Sequence, residues 1–224
     1  MHKQQAFLQS LGFHDVNAES QEVVTNAFAN DNSYYDTQAD RISLGSGGVD
    51  DAEDLEVVWH EYGHAIQSDQ VIDFGRGREA RSIGEGFGDY MAVAMSQGAQ
   101  RRGTPRTPLA CVMDWDATAY TVAEPHCLRR VDRDVVYPRD LTGSPHHDGG
   151  IWARALWDMN LRMGRADATR VAVESNFWMH PNISMPQGAR IMAWVASRLT
   201  ATGLVAPGSL VQVRNALLAR NLLP

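Results

Sequence analysis

Hydrophobic and polar positions divide the chain into a front part with strand-like segments and a longer back part with helical periodicity. Residues 4–11 are predicted to form a short helix that ends at Gly12, a residue type that commonly terminates helices. Residues 22–29 favour a strand because they contain Val, Thr and Phe, and residues 41–44 favour another because polar and apolar residues alternate. The polar cluster at 30–33 predicts a turn between these strands.

The back part of the chain is predicted to be mainly helical. A central helix is expected to start at Asp50 or Asp51, with an acidic first turn that suits a helix N-terminus, and to run to about Gln70. The next helix is expected from Ser82 to about Gln97. Four more are predicted at 150–163, 167–178, 185–201 and 209–221, the last two with capping boxes at Ser184 and Ser209.

Length and composition indicate one domain, with residues 1–70 as a β-containing front part and residues 71–224 as a helical lobe. The 224 residues are 44% hydrophobic and 21% charged, and the formal net charge is −7. This acidic balance argues against nucleic acid or an anionic membrane as a partner. No apolar run reaches the roughly 18 residues of a membrane span, so no transmembrane helix is expected.

Two features bear on the compartment in which the protein works. Residues 1–5 lack the apolar segment of a signal peptide, so either the protein stays inside the cell or this chain is a processed piece of a longer precursor. Cys111 and Cys127 lie in an irregular stretch, 99–148, and neither belongs to a C-x-x-C pair. A disulfide that closes the short loop between them is expected, and it would indicate an oxidising compartment. The alternative is two unpaired thiols in a reduced protein.

The central helix carries the pattern H-E-x-x-H at His60, Glu61 and His64. Two His four residues apart lie on one helical face, so both imidazoles can bind one zinc ion. Glu61 follows the first His directly and can reach a water at the metal, which is the position of the general base in zinc peptidases. The alternative is a surface helix that carries these three residues by chance.

A third metal ligand is expected from the next helix. Glu85 and Asp89 are four residues apart and share a helical face, so Glu85 can bind the metal while Asp89 accepts the other ring N–H of a ligand His. Ser82 and Glu85 also have the spacing of a capping box, which is the alternative role for Glu85. The glycines that alternate along 84–88 favour the ligand role, because they allow a close approach to the central helix.

Together these motifs resemble the gluzincin zinc metallopeptidases of the thermolysin and fungalysin group, closest to bacterial fungalysin-like peptidases. The residues that carry the resemblance are W-H-E-Y-G-H-A at 59–65 and G-E-G-F-G-D-Y at 84–90. The resemblance implies an α+β, predominantly α-helical fold. It further implies a zincin-like, thermolysin-like core with a reduced N-terminal β portion and a helical C-terminal lobe.

The resemblance also implies roles for individual residues. One catalytic Zn²⁺ would be held by His60, His64 and Glu85, with Asp89 supporting a ligand His, expected to be His60. Thermolysin also has calcium sites, so Ca²⁺ is a candidate second cofactor, but it is not placed here because the acidic residues of this chain match no known calcium-loop spacing. The tyrosine that assists the oxyanion in thermolysin has no counterpart between the two metal motifs, since residues 65–84 contain no Tyr.

Two further segments resemble substrate-binding parts of the same group. Asn26-Ala27-Phe28 resembles the edge strand that binds the backbone of an extended peptide; otherwise Asn26 would be an ordinary residue beside a turn. The segment that starts at His146 resembles the region whose His stabilises the transition state, with His147 as the adjacent alternative.

The expected function is a secreted zinc metalloendopeptidase that acts on peptide or protein substrates. Glu61 would be the general base and His146 would donate a hydrogen bond to the oxyanion. The signal and an upstream propeptide are expected to be absent from this chain. The alternatives are a zinc aminopeptidase on the same ligands and a non-catalytic, zinc-stabilised binding domain.

Overall fold

The computed structural model describes residues 1–99 and 107–224. Helices predominate, and the few strands are short, which confirms the predicted α+β, mainly helical class. The helices are α1 (His2–Ser10), α2 (Leu55–Gln70), α3 (Arg78–Gly98), α4 (Pro145–Met163), α5 (Arg165–Asn176), α6 (Met185–Ala201) and α7 (Ser209–Leu218). None of the helices in the described ranges is long and apolar enough to cross a lipid bilayer.

The chain divides into two compact units. The first unit comprises residues 1–69 and 88–131, and the second comprises 70–87 and 132–224. Residues 88–131 belong to the same unit as the front part of the chain. The reason is that α3 is continuous from 78 to 98, so the chain re-enters the first unit along that helix.

The first unit contains a three-stranded sheet in the order β1-β3-β2. Strands β1 (Glu22–Val24) and β3 (Arg41–Leu44) are parallel, and β2 (Ser33–Asp36) pairs antiparallel with β3. The central strand β3 buries Ile42 and Leu44 almost completely. Strand β2 was not predicted, since its Ser-Tyr-Tyr-Asp sequence follows a turn cluster and lacks apolar alternation.

The predicted strand at 22–29 is wrong beyond Val24. Asn26 has φ of +53°, and this left-handed conformation interrupts an extended chain. The Ala27 amide nonetheless donates to the Leu44 carbonyl at 2.8 Å, so the segment stays attached to the end of β3.

Residues 107–131 complete the first unit with two very short strands, β4 (Cys111–Val112) and β5 (Arg129–Arg130), which pair antiparallel. Cys111 and Cys127 form a disulfide with Cα atoms 5.2 Å apart. The buried carboxylate of Glu56, at the start of α2, accepts a hydrogen bond from the Met113 amide at 2.6 Å. This bond attaches the 107–131 segment to α2.

The second unit is a set of packed helices formed by α4 to α7, together with the first half of α3. Helix α6 has the predicted bounds, and Ser184 forms the predicted capping box with Gln187. The capping prediction at Ser209 is wrong, because Gly208 precedes the helix and Ser209 is its first residue. Helix α4 begins at Pro145 instead of residue 150, because a proline at the first helical position needs no N–H partner.

Candidate metal centre

Helix α2 places the two histidines of the first motif side by side. His60 is buried, with 2% of its surface exposed, and its ring lies edge-on to that of His64. Their Nε2 atoms are 3.2 Å apart. Two nitrogens bound at about 2.05 Å to one tetrahedral zinc ion would be about 3.4 Å apart. The pair therefore fits a shared metal ion.

The orientation of His60 is set by a carboxylate from α3. Oδ1 of Asp89 lies 2.9 Å from Nδ1 of His60, and both side chains are buried. A carboxylate at Nδ1 favours the tautomer with its proton on that nitrogen, which leaves the lone pair of Nε2 facing His64. This arrangement prepares His60 to bind a metal through Nε2.

Asp89 is itself held by Arg129 from strand β5. The guanidinium donates to both carboxylate oxygens, with Nε at 2.8 Å from Oδ2 and Nη2 at 2.7 Å from Oδ1. Burial alone would raise the pKa of Asp89, but the charges of Arg129 and His60 and their hydrogen bonds lower it below the usual value. Asp89 is therefore an anion between two basic groups.

A glycine allows α3 to lie against the His60 ring. A Cβ on Gly88 would come 2.7 Å from Nδ1 of His60, which is closer than any real carbon would approach. Gly88 therefore permits the close approach to the central helix that the sequence predicted. Gly86 instead faces α4, where its added Cβ would lie 2.8 Å from Cβ of Trp152.

Asp89→Asn is expected to weaken zinc binding by about 10–100-fold, because a neutral amide oxygen is a weaker acceptor for the proton on Nδ1 of His60 than a carboxylate is. Zinc affinity measured by competition with a chromogenic chelator would show this. Arg129→Gln is the control, because it breaks the same ion pair but keeps a carboxylate at His60. It should lower the melting temperature while zinc affinity changes much less. Equal losses of zinc affinity in both variants would contradict the role of Asp89.

In the second unit, the first half of α3 and the start of α4 bring Glu85 and His146 together. Nε2 of His146 lies 3.2 Å from Oε2 of Glu85. This proximity depends on a close helix crossing, since a Cβ on Gly149 would meet Cβ of Glu85 at 2.9 Å. Glu85 also lies one turn before Asp89 on the continuous helix α3, so both carboxylates share one helical face.

The capping-box role for Glu85 is wrong. Helix α3 begins at Arg78, a full turn before Ser82, and the Ser82 hydroxyl donates to the Arg78 carbonyl at 3.1 Å inside the helix. Ser82 therefore caps nothing.

The two neighbouring histidines of α4 differ in their partners. His146 contacts Glu85, whereas Nε2 of His147 lies 3.0 Å from Nη2 of Arg133 and its Nδ1 lies 3.4 Å from Asp148.

The segment with Asn26 and Ala27 lies in the first unit as an exposed turn and not as a strand. The Ala27 amide is already used in its bond to Leu44. Any contact of this segment with an extended peptide would therefore involve other groups, among them the exposed Asn26 side chain.

The family model for fungalysin metallopeptidases (M36) matches residues 46–220. The chain belongs to the fungalysin metallopeptidase family. It is therefore a zinc metallopeptidase, as the two metal-site motifs indicated. No curated protein matches this fungalysin chain.

Among solved structures, the fungalysin chain is similar to the precursor of protealysin, a metalloproteinase from Serratia proteamaculans. The TM-score is 0.67 at 13% sequence identity, and the match covers 98% of this chain and 75% of that chain. At this identity the likeness establishes the fold alone. The fold is the thermolysin-like one that the sequence predicted.

Sequence reasoning missed Arg129, which holds the carboxylate beside His60. Arg129 is 40 residues from Asp89 and belongs to a two-residue strand. A single basic residue in an irregular stretch gives no periodic or spacing signal. Its role follows only from the pairing of β4 with β5.

Proposed function

We propose that this fungalysin is a zinc-dependent endopeptidase whose single catalytic ion is held by His60, His64 and Glu85. The observation that carries the proposal is the His60–His64 pair, whose Nε2 atoms lie 3.2 Å apart. The other ring nitrogen of His60, Nδ1, contacts Asp89. Glu85 supplies the third ligand because it precedes Asp89 by one helical turn, on the same face of α3. Two imidazoles and a carboxylate form a ligand set that is typical of catalytic zinc.

Bound zinc supplies a Lewis acid that makes water more acidic and polarises the scissile carbonyl. Glu61 accepts the proton of the attacking water and then passes it to the leaving amine. Glu61 is suited to this task because it is buried, with 6% of its surface exposed, and is adjacent to His60 on α2. Because little solvent reaches this carboxylate, bulk water competes less for the proton that Glu61 transfers.

His146 is proposed to stabilise the oxyanion of the tetrahedral intermediate by donating a hydrogen bond. It is preferred over His147 because its Nε2 lies beside Glu85, the proposed ligand, while His147 contacts Arg133 and Asp148. Asn26 is proposed to bind the substrate backbone. Its side chain is exposed on the turn that follows β1.

We also propose that the protein works outside the cell and is made as a precursor. The Cys111–Cys127 disulfide supports this, since such bonds persist in oxidising compartments. The structural neighbour from Serratia proteamaculans is itself a precursor.

The proposal is tested by zinc content and peptide hydrolysis on the same sample. The purified chain is expected to hold about one zinc per molecule and to hydrolyse casein and an N-terminally blocked peptide. Phenanthroline should remove both the zinc and the activity, and added zinc should restore them. Cleavage of free-amino peptides alone would indicate an aminopeptidase. Bound zinc without hydrolysis of any peptide would indicate a binding domain.

A further inference from the structure

A second group of candidate metal ligands lies in the first unit and consists of carboxylates alone. Carboxylate oxygens of Asp31, Asp51 and Asp116 lie within 4.8 Å of one another. Asp31 follows the Asn26 turn, Asp51 begins a 3-10 turn (Asp51–Glu53) before α2, and Asp116 begins another (Asp116–Ala119). Three distant parts of the chain thus place negative charges around one point.

Two of these carboxylates are buried, and the protein gives them few hydrogen-bond donors. Asp51 and Asp116 expose only 2% and 3% of their surface. Within the described part of the chain, the Oδ1 atom of each of the three is buried and has no hydrogen-bond partner. The Ser33 hydroxyl donates to the other oxygen of Asp51. A buried carboxylate oxygen without a donor costs free energy, and a bound cation would offset that cost.

Electrostatic repulsion within the cluster also favours a bound cation. Burial, followed by repulsion from Asp51, Asp31 and Asp54, raises the pKa of Asp116 to about 7, although Arg129 opposes the shift. Burial also raises the pKa of Asp51, with the hydrogen bond from Ser33 opposing it. The protein brings like charges together and supplies little to neutralise them.

We propose that Asp31, Asp51 and Asp116 bind one calcium ion. All three donors are carboxylate oxygens, which hard cations prefer and which differ from the nitrogen-rich set on α2 and α3. Two oxygens bound at about 2.4 Å to one Ca²⁺ can be at most about 4.8 Å apart, and no pair of ligand oxygens in this cluster exceeds that separation. Magnesium retains its water shell and requires strict octahedral geometry, which suits a buried protein cage less well.

A bound calcium ion would connect the loops that contain Asp31, Asp51 and Asp116. The first of these loops follows the turn with Asn26, the proposed substrate-binding residue. The Asp31 loop is already linked to the loop before α2, because the Gly45 amide donates to the Asn32 carbonyl at 3.1 Å and the Ser46 amide donates to the Phe28 carbonyl at 3.0 Å. The Asp116 turn is held by its amide, which donates to Asp54 at 3.0 Å. A link from calcium to substrate binding at Asn26 rests on the proposed function; the calcium site itself does not.

The first measurement is the thermal stability of zinc-loaded protein dialysed into calcium-free buffer that contains zinc. Calcium at about 100 times its dissociation constant is expected to raise the melting temperature by about 5–10 °C, because it binds only the folded chain. Magnesium at equal ionic strength should raise it far less. Terbium(III) gives a direct binding signal, since Trp115 adjoins Asp116 and can sensitise its luminescence, and calcium should quench that signal by competition.

Variants then decide whether the three aspartates form the site. Asp116→Asn is expected to abolish the calcium-dependent shift while leaving the melting temperature without calcium unchanged or higher, because one of three repelling charges is gone. Asp31→Asn should abolish the shift as well. Asp114→Asn is the matched control, since it removes the same charge two residues away and should respond as the original protein does.

The proposal is overturned if calcium and magnesium stabilise the original protein equally, or if Asp116→Asn keeps the full calcium shift. It is also overturned if Asp114→Asn loses the shift to the same extent, since calcium would then sense only the overall charge. Repeating the titration with phenanthroline, a nitrogen chelator that removes zinc and leaves calcium, separates the two sites. A chain that binds calcium but hydrolyses no peptide would contradict only the peptidase function.

Discussion

Replacing Glu61 with glutamine is expected to lower the turnover of an N-terminally blocked peptide by about 1,000-fold or more, toward the upper end of general-base contributions. Glutamine has nearly the same size and can fill the same buried position, but it cannot accept a proton from water. The variant should still bind zinc with unchanged stoichiometry, because the proposed ligands are intact. Turnover and zinc content measured on one preparation check both parts.

Glu53→Gln is the matched control for Glu61→Gln. Glu53 is exposed and belongs to the 3-10 turn that precedes α2, so it loses the same charge in the same part of the chain. Its turnover should stay close to that of the original protein. If Glu61→Gln retained most of its turnover, proton transfer would have to be assigned to another group. If it lost zinc, Glu61 would be part of the metal site.

Replacing Glu85 with alanine or glutamine is expected to reduce zinc affinity by more than about 100-fold, since a direct ligand contributes more than the groups that orient ligands. Glu85→Gln is the informative variant, because glutamine keeps the length of the side chain in α3 but is a poor zinc ligand. Zinc retained after dialysis against a weak chelator is the measurement. Activity should fall in parallel with zinc content.

His146→Ala separates the ligand role of Glu85 from its contact with His146. If Glu85 mattered only through that contact, His146→Ala and Glu85→Gln would behave alike. We expect His146→Ala to keep its zinc and to lose about 100–1,000-fold in turnover, as expected for one oxyanion donor. Retention of zinc by Glu85→Gln would remove Glu85 from the proposed ligand set.

Sequence patterns were informative wherever structure is local. Helix α6 has the predicted bounds and the predicted Ser184 capping box, because both depend on residues within one or two turns. The same local rule failed at Ser82, which has capping-box spacing but lies within α3. There the helix extends further, and Glu79 near its start accepts a hydrogen bond from the Met185 amide at 2.7 Å, a contact between residues more than a hundred positions apart.

Strands were predicted less well, because a strand depends on its partner. The segment at 22–29 has strand composition throughout, yet pairing with β3 stops at Val24. Strand β2 has polar ends and two tyrosines, and it forms because β3 offers it a free edge.

The amino-acid sequence by itself determined the chemistry at α2 and the spacing of Glu85 and Asp89, because a four-residue interval places two side chains on one face of any α-helix. Only the tertiary structure decided which groups support or oppose that chemistry. Arg129 reaches Asp89 across 40 residues, and Asp31, Asp51 and Asp116 converge from three separate loops. Contacts between residues so far apart depend on how the whole chain folds, so no spacing in the sequence predicts them.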